Sequence, residues 1–279
     1  MYQENCLIVN QRKVAPGHYA LTLRSPRIAA AARPGQFVQL VCSDSSDPLL
    51  PRPFSFLTAG KRDFSIIYHV VGKGTQFLAQ SRRGESLSVV GPLGHGFHSD
   101  LRRHADHVVN TAILVGGGVG IPPLYHAAQQ LCSPGQPLKK QNVHVLLGAR
   151  TKDFLLCEKE FKKLGVALRV ATDDGSRGRK GLVTSLLEDV LKKTNPVRTR
   201  VMTCGPTPML KAVSVLSKAY RTACEVSVEV PMACGFGACM GCAIKVKAGP
   251  SEETPGPDYR FAIACQEGPV FKGEDVVWD

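Results

Sequence analysis

The 279-residue sequence predicts a β plus α/β fold, with an antiparallel β-barrel, a doubly wound parallel α/β domain and a small C-terminal domain. Three observations predict it. Short alternating strands, separated by turn-forming residues, fill the first third of the chain. Strand–helix alternation begins near residue 108, and a cysteine-rich loop begins near residue 226. We therefore expect domains at residues 1–100, 101–225 and 226–279.

The barrel is expected from the alternation of apolar and polar residues in short runs. Residues 36–41 and 64–71 show this alternation, and clusters of Gly, Pro, Ser and Asp separate such runs. Regular short strands with frequent turns are typical of a closed barrel. A connector is expected at residues 102–107, before the second domain.

Two motifs in the barrel are candidate phosphate-binding segments. In residues 50–56, LPRPFSF, an arginine beside a serine and an aromatic residue can hold a phosphate and the edge of a flat ring. In residues 67–75, IYHVVGKGT, a strand ends in a glycine turn that opens a short helix, which is another way to cradle phosphate. An ordinary hairpin turn is the alternative for each.

The second domain alternates strands and helices, which predicts a parallel sheet with helices on both faces. The expected strands cover residues 111–115, 143–147, 167–171 and 200–203. The expected helices run to about residue 131 and over residues 153–163, 184–191 and 208–219.

A glycine-rich turn joins the first of these strands to its helix. Residues 114–123 read LVGGGVGIPP and contain Gly116, Gly117, Gly118 and Gly120. Such glycines let the backbone approach a pyrophosphate, and the helix N-terminus attracts its negative charge. The motif is not a strict GxGxxG, so a plain tight turn is the alternative.

A second motif, TCGPTPML at residues 203–210, follows the fourth strand. It falls at the carboxyl edge of the predicted sheet, where open α/β folds bind ligands. Cys204 could therefore face a bound nicotinamide. A buried thiol just before a helix is the alternative.

The C-terminal domain carries the spacing C-x4-C-x2-C…C, formed by Cys234, Cys239, Cys242 and Cys265. This is the spacing of a plant-type [2Fe–2S] cluster, which transfers one electron at a time. The small residues of the loop let its amide N–H groups point at the sulfurs. A structural zinc site or a disulfide pair are the alternatives. Zinc sites usually have two well-separated C-x2-C pairs, whereas three of these cysteines lie within residues 234–242.

Composition limits the partners of the chain. The net charge is +12, with 35 Lys and Arg against 23 Asp and Glu. These basic residues are dispersed and lack interleaved aromatics, so phosphate-rich cofactors or an acidic partner explain them better than nucleic acid does. Ten cysteines without a signal-peptide pattern favour a reducing, cytoplasmic location. No apolar run is long enough to span a membrane.

The motifs, in this order, resemble the ferredoxin-NADP reductase superfamily, in which an FAD-binding barrel precedes a nicotinamide-binding α/β domain. Three further segments narrow the resemblance: GPLGHGF at residues 91–97, TDDGS at 172–176 and EGPVF at 267–271. With the cluster loop they are similar, over essentially the whole chain, to the electron-transfer subunits of two-subunit, NAD-dependent (type B) dihydroorotate dehydrogenases.

The resemblance implies roles for individual residues. Arg52 would bind the FAD pyrophosphate and Ser55 would lie near the flavin ring, while Cys204 and Ser55 are the candidate catalytic residues. The other implied FAD-binding residues are Pro53, Phe54, Ile67, Tyr68, His69, Gly74 and Thr75. The nicotinamide nucleotide would bind Gly116, Gly117, Gly118, Gly120, Cys204, Gly205 and Pro206, and the cluster ligands would be Cys234, Cys239, Cys242 and Cys265.

Two departures from the family pattern stand out. His69 occupies a position where members often carry arginine, so one contact with FAD is expected to be weaker. The stretch between Cys242 and Cys265 is long, and residues 248–258 are rich in Pro, Gly and Glu. We interpret it as a loop insertion before the fourth ligand.

The resemblance also implies a function in pyrimidine (UMP) biosynthesis. A separate catalytic subunit, an FMN flavoprotein, would oxidise dihydroorotate, and electrons would pass through the cluster to FAD and on to NAD+. Two copies of each subunit would form a heterotetramer. The alternatives are an NAD(P)H–ferredoxin or sulfur-reducing oxidoreductase, or a cluster-bearing redox sensor. NADP is an alternative to NAD, because the basic residues 176–180 could hold a 2′-phosphate.

Overall fold

The computed structural model describes residues 1–43, 46–98, 108–136, 138–249 and 258–278. The expected connector at 102–107 and the boundary between residues 100 and 101 lie outside these ranges. Most of the predicted insertion at 248–258 does too.

The first domain is a closed antiparallel barrel, as predicted, with the strand order β1-β2-β5-β4-β3-β6. Side chains that alternate along the strands fill its interior, among them Leu21, Val38 and Phe56. The strands are β1 (Tyr2–Ala15), β2 (His18–Arg24), β3 (Phe37–Leu40), β4 (Arg52–Ala59), β5 (Asp63–His69) and β6 (Ser86–Leu93), with helices α1 (Pro26–Ala31) and α2 (Lys73–Gln80).

The second domain is the expected α/β sheet. Its parallel strands are β7 (Thr111–Gly117), β8 (Val143–Ala149), β9 (Ala167–Thr172), β10 (Arg179–Lys180), β11 (Thr199–Cys204) and β12 (Ala223–Ser227). Its helices are α3 (Ile121–Leu131), α4 (Glu158–Leu164), α5 (Val183–Leu191) and α6 (Thr207–Ala219).

One predicted helix is wrong in its extent. Residues 153–163 were expected to be continuous, but a 3-10 turn at Lys152–Phe154 precedes α4. The backbone of Cys157 between them is left-handed, with φ of 58°. An α-helix cannot continue through that conformation, so α4 begins at the next residue.

The last segment forms β13 (Ala243–Lys247), β14 (Tyr259–Ile263) and β15 (Val270–Lys272). The first two make a hairpin, whereas β15 pairs antiparallel with β12 at the edge of the large sheet, in the order β10-β9-β8-β7-β11-β12-β15. The C-terminal segment is therefore fixed to the α/β domain by a shared sheet.

The three parts pack against one another through apolar contacts. Leu57 and Ile67 of the barrel belong to one buried cluster with Ile121 and Leu124 of α3. Phe37 of β3 belongs to another, with residues around the last two cysteines. Burial of such surfaces is favourable by about 25 cal/mol per Å2, so the barrel holds the other two parts in place. Among the described residues, no helix is both long and apolar enough to cross a bilayer.

Candidate redox site

The four cysteines of the C-terminal loop lie together as two pairs. The thiols of Cys234 and Cys239 contact each other, as do those of Cys242 and Cys265. Cys265 also lies close enough to Cys234 for their charges to interact, so the pairs are adjacent. In the part of the chain that the structure describes, no three His, Cys, Asp or Glu side chains surround a single metal position. Two adjacent pairs fit a binuclear cluster, in which each iron takes two thiolates, whereas zinc needs all its ligands around one ion.

Backbone amides point at the sulfur atoms of this loop. The N–H of Cys239 donates to Cys234 Sγ at 3.4 Å, that of Gly241 to Cys239 Sγ at 3.5 Å, and that of Cys265 to Cys242 Sγ at 3.4 Å. Burial acts to raise the pKa of Cys234, but hydrogen bonds from the amides of Cys239, Phe236 and Ala238 and from the Cys239 side chain outweigh it and lower the pKa. The loop therefore stabilises the thiolate of Cys234, which is the form that binds iron, whereas burial and the adjacent Cys242 raise the pKa of Cys265.

The two halves of the cluster loop differ in burial. Cys242 and Cys265 are buried against Phe37 of the barrel, whereas Cys239 is exposed. Phe236 and Met240, beside the outer cysteines, are 47% and 60% exposed. One side of the loop thus contacts the barrel and the other presents apolar side chains at the surface.

The motif RPFS lies on β4, next to β3. Phe54 pairs with Val38 and points into the barrel, where its ring lies 5.8 Å from that of Tyr68. Ser55 pairs with Phe37, and Pro53, two residues before Ser55 on β4, lies on the same outer face. Pro53 and Ser55 therefore face the side of the barrel that the cluster loop covers.

Arg52 and the glycine turn are brought together, as a phosphate cradle requires. A Cβ on Gly74 would lie 3.6 Å from Arg52 Nε, so the first turn of α2 packs directly against this side chain. The Thr75 hydroxyl accepts from the N–H groups of Val71 and Gly72 at 3.0 and 3.2 Å, which fixes the turn. A guanidinium beside a helix N-terminus fits a pyrophosphate.

The segment Ile67-Tyr68-His69 is divided between two faces of β5. The Tyr68 side chain is 1% exposed inside the barrel and donates to Gln11 Oε1 at 3.1 Å. Ile67 packs towards the α/β domain, and the His69 ring stacks on His18 with centroids 4.2 Å apart. The interior position of Tyr68 leaves only its backbone to reach a ligand outside the barrel.

The two nucleotide motifs of the α/β domain meet at the carboxyl edge of the sheet. A Cβ on Gly120 would lie 2.3 Å from the carbonyl carbon and oxygen of Cys204. Gly117 lies against Pro206, since a Cβ there would be 3.3 Å from Pro206 Cδ. Gly118 has a left-handed φ of 55°, and Gly116 packs on α3. The turn also touches β5 of the barrel.

Burial favours the protonated form of the Cys204 thiol. It is 8% exposed, and burial raises its pKa to about 12 despite a hydrogen bond with Ser227. A neutral thiol next to Gly205 offers a small, weakly polar wall for a flat ring.

The basic turn at residues 176–180 is engaged in ion pairs. Arg177 Nη2 lies 2.6 Å from Glu158 Oε1, and Arg179 Nη2 lies 2.7 Å from Asp189 Oδ2. The sequence interpretation missed both carboxylates, because neither lies near its arginine in a recognisable spacing. The two guanidinium groups that could hold a 2′-phosphate are thus already paired with acids.

The family model of the iron–sulfur cluster binding domain of dihydroorotate dehydrogenase B matches residues 229–277, and that of an oxidoreductase NAD-binding domain matches residues 114–215. The electron transfer subunit of dihydroorotate dehydrogenase B (NAD(+)) from Bacillus mycoides is 37% identical over 279 residues, covering 99% of both chains. That from Geobacillus thermodenitrificans is 39% identical over 278 residues, covering 99% of this chain and 98% of its own.

The chain belongs to this family of electron transfer subunits. It is also similar to a chain in a solved NADH-dependent reduced ferredoxin-NADP oxidoreductase, a system of flavin-based electron bifurcation. That match has a TM-score of 0.81 and 31% identity, covering 99% of this chain and 91% of that one. Phthalate dioxygenase reductase shares the fold, with a TM-score of 0.61 at 16% identity and 94% of each chain covered.

Proposed function

We propose that this chain carries electrons from a dihydroorotate dehydrogenase catalytic subunit to NAD+, through a [2Fe–2S] cluster and FAD. One observation carries the proposal. The cluster loop lies directly on β3, beside the RPFS strand, and the glycine turn of the nucleotide site touches the same barrel at β5. The three motifs are thus arranged in the order in which electrons would pass.

The protein groups mainly hold the cofactors in place. FAD, when bound, exchanges electron pairs with nicotinamide and single electrons with an iron–sulfur cluster. Arg52 and the first turn of α2 would hold its pyrophosphate, and Ser55 of β4 would lie near the ring. Cys234 with Cys239, and Cys242 with Cys265, supply the thiolates for the two irons. Buried Phe37 lies between the inner cysteines and β4, and keeps water out of the gap.

The nucleotide site shapes the position of the nicotinamide. Gly120 lets the glycine turn lie against the Cys204–Gly205 peptide, so both motifs lie side by side at the carboxyl edge of the sheet. The Cys204 thiol keeps its proton at neutral pH and takes no part as a base. Cys204 and Ser55 would position the two rings between which hydride is transferred. Close alignment of the reacting rings lowers the activation barrier of that transfer.

NAD is favoured over NADP by the ion pairs of the basic turn. Binding a 2′-phosphate at Arg177 or Arg179 would require separation from Glu158 or Asp189. Those carboxylates would also repel the phosphate. The NAD(+) in the relatives' name agrees with this arrangement.

The partner would be an FMN flavoprotein, joined through the exposed side of the cluster loop at Phe236 and Met240. A heterotetramer with two copies of each subunit, acting in UMP biosynthesis in the cytoplasm, completes the proposal. The ten cysteines, all free thiols, support a reducing compartment.

The test is to co-express this chain with the catalytic subunit from the same organism and to assay dihydroorotate-dependent NAD+ reduction. We expect a stable complex that reduces NAD+ to NADH faster than it reduces NADP+ to NADPH. A complex that forms but reduces ferredoxin instead of NAD+ would overturn the proposal.

The second candidate is a ferredoxin-linked oxidoreductase. The 31% identity over 99% of this chain to a ferredoxin-NADP oxidoreductase chain favours it. The cofactor motifs would serve both functions, so the electron donor in the assay decides between them.

A further inference from the structure

A pocket lies at the amino-terminal edge of the large sheet, away from the nucleotide motifs. Its volume is about 430 Å3, within the range of about 300–1,000 Å3 that is usual for small-molecule sites. Arg200 and Ala223, at the beginnings of β11 and β12, line it. Cys204 ends β11 and lies about 13 Å further along the strand, at about 3.3 Å per residue. The pocket is therefore separate from the proposed nicotinamide site.

All three parts of the chain contribute to this pocket. His98 follows the barrel, Arg200 and Lys218 belong to the α/β domain, and Lys272 lies on β15 of the C-terminal segment. Lys272 is opposite Glu225 of β12 in the shared sheet. A ligand in this pocket would therefore contact both the nucleotide domain and the segment that carries the cluster cysteines.

The pocket carries a net positive charge. Its lining includes four cationic side chains and two carboxylates, namely Arg200, Lys218, Arg221 and Lys272, with Glu225 and Glu274. Glu225 is 6% exposed and accepts hydrogen bonds from the ring and the backbone N–H of His98. In the described parts of the chain, no carboxylate forms an ion pair with any of the four cations. Positive charges gathered around one pocket repel one another, and a bound anion offsets that repulsion.

Arg200 provides the buried part of this charge. It is 4% exposed, and its hydrogen bond to the described residues runs from Nη1 to the carbonyl of His98 at 3.2 Å. A guanidinium has five N–H donors in a fork that matches the oxygens of a phosphate, so most of its donors remain for a ligand. Ser214 and Thr222, both buried, add hydroxyl groups to the lining. This combination of a buried guanidinium, amines and hydroxyls suits a phosphate group.

We propose that this pocket binds an organic phosphomonoester, whose phosphate is held by Arg200 and the three surrounding cations. A phosphomonoester carries about 1.5 to 2 negative charges at pH 7 and has three acceptor oxygens, so it can engage several cations at once. The pocket is larger than a phosphate ion and leaves room for an organic part of the size of a sugar. A ligand that binds only the folded chain stabilises it, and here it also holds the C-terminal segment on the sheet.

The test is isothermal titration calorimetry with ribose 5-phosphate. The chain is loaded with FAD and its cluster, and excess NAD+ occupies the nucleotide site. Ribose is the uncharged comparison, and inorganic phosphate is the comparison without an organic part. Lys218→Met and Lys272→Met each remove one exposed cation of the pocket. Lys193→Met is the matched control, because Lys193 is also exposed but lies just after α5, outside the pocket.

We expect ribose 5-phosphate to bind saturably, at least tenfold more tightly than ribose or inorganic phosphate, and to raise the melting temperature. Each pocket variant should weaken this binding about tenfold, through the loss of one charge-assisted hydrogen bond, while the control binds as the wild type does. Binding should also weaken as the salt concentration rises.

Three results would overturn the inference: no saturable binding, equal affinity in the pocket variants and the control, or inorganic phosphate that binds as tightly as ribose 5-phosphate. The inference is independent of the proposed function. A chain that binds ribose 5-phosphate as expected but fails to reduce NAD+ with its partner would defeat the proposed function alone.

Discussion

Gly120 is the residue through which the two nucleotide motifs touch, and Gly120→Ala tests that contact. The added Cβ would lie 2.3 Å from the Cys204 carbonyl carbon and 2.4 Å from Gly205 N, where ordinary contacts are 3.4–4 Å. The clashing atoms are backbone, so the two segments must move apart by roughly 1 Å. Such overpacking costs about 1–3 kcal/mol, and a 1 Å misplacement at a reacting centre can cost about 100-fold in rate.

The assay is NADH-dependent ferricyanide reduction by the chain loaded with FAD. We expect kcat/KM for NADH to fall by about 100-fold while FAD and iron contents stay at the wild-type level. Gly135→Ala is the control, because nothing lies within 4 Å of the added carbon, although Gly135 has a left-handed φ of 84° and Gly120 has an ordinary φ of −78°. That variant should lose about 1–2 kcal/mol of stability through backbone strain and keep its activity. Normal activity of Gly120→Ala, or an equal loss in both variants, would refute the reasoning.

Three further changes probe other parts of the molecule. Cys242→Ser should abolish the absorbance and the EPR signal of the cluster while FAD stays bound. Cys224→Ser changes a thiol outside the loop and should leave the cluster in place. A cluster retained in Cys242→Ser would contradict the assignment of Cys242 as a ligand. Burial lowers the pKa of His126 to about 4 from 6.5, so the folded state resists protonation and stability is lost as pH falls from 6.5 towards 4. The free energy of unfolding, measured with urea at pH 7 and pH 5, should fall by about 2 kcal/mol less in His126→Phe than in the wild type. An equal fall in both proteins would be evidence against a neutral buried imidazole. Glu158→Gln frees Arg177 from its ion pair, so kcat/KM for NADPH should rise several-fold while kcat/KM for NADH stays unchanged. If kcat/KM for NADPH does not rise, the Arg177–Glu158 pair does not contribute to the preference for NAD.

The fold was predictable because its signals are local. Alternation identifies the barrel strands, and the alternation of strands and helices identifies the sheet, with most limits correct to within two residues. The glycine turn at 116–120 and the Cys204-Gly205-Pro206 motif also meet as their places on parallel strands require.

The features that the sequence did not predict depend on contacts between residues far apart in the chain, which a local sequence pattern does not encode. The left-handed Cys157 interrupts a helix, and β15 pairs with β12 across the chain. Tyr68 lies inside the barrel. Adjacent side chains of a strand point to opposite faces, and only the tertiary fold decides which face is buried. The sequence around Gln39 indicates an ordinary strand residue, and only the tertiary fold brings Gly235 into contact with its side chain.

The most direct test of the electron path is freeze-quench EPR of the complex with its catalytic partner. The complex is mixed anaerobically with dihydroorotate, and NAD+ is added afterwards. We predict that the reduced-cluster signal appears on the first addition and decays on the second as NADH absorbance grows. NADH formation without any cluster signal at either stage would contradict transfer through the cysteine loop.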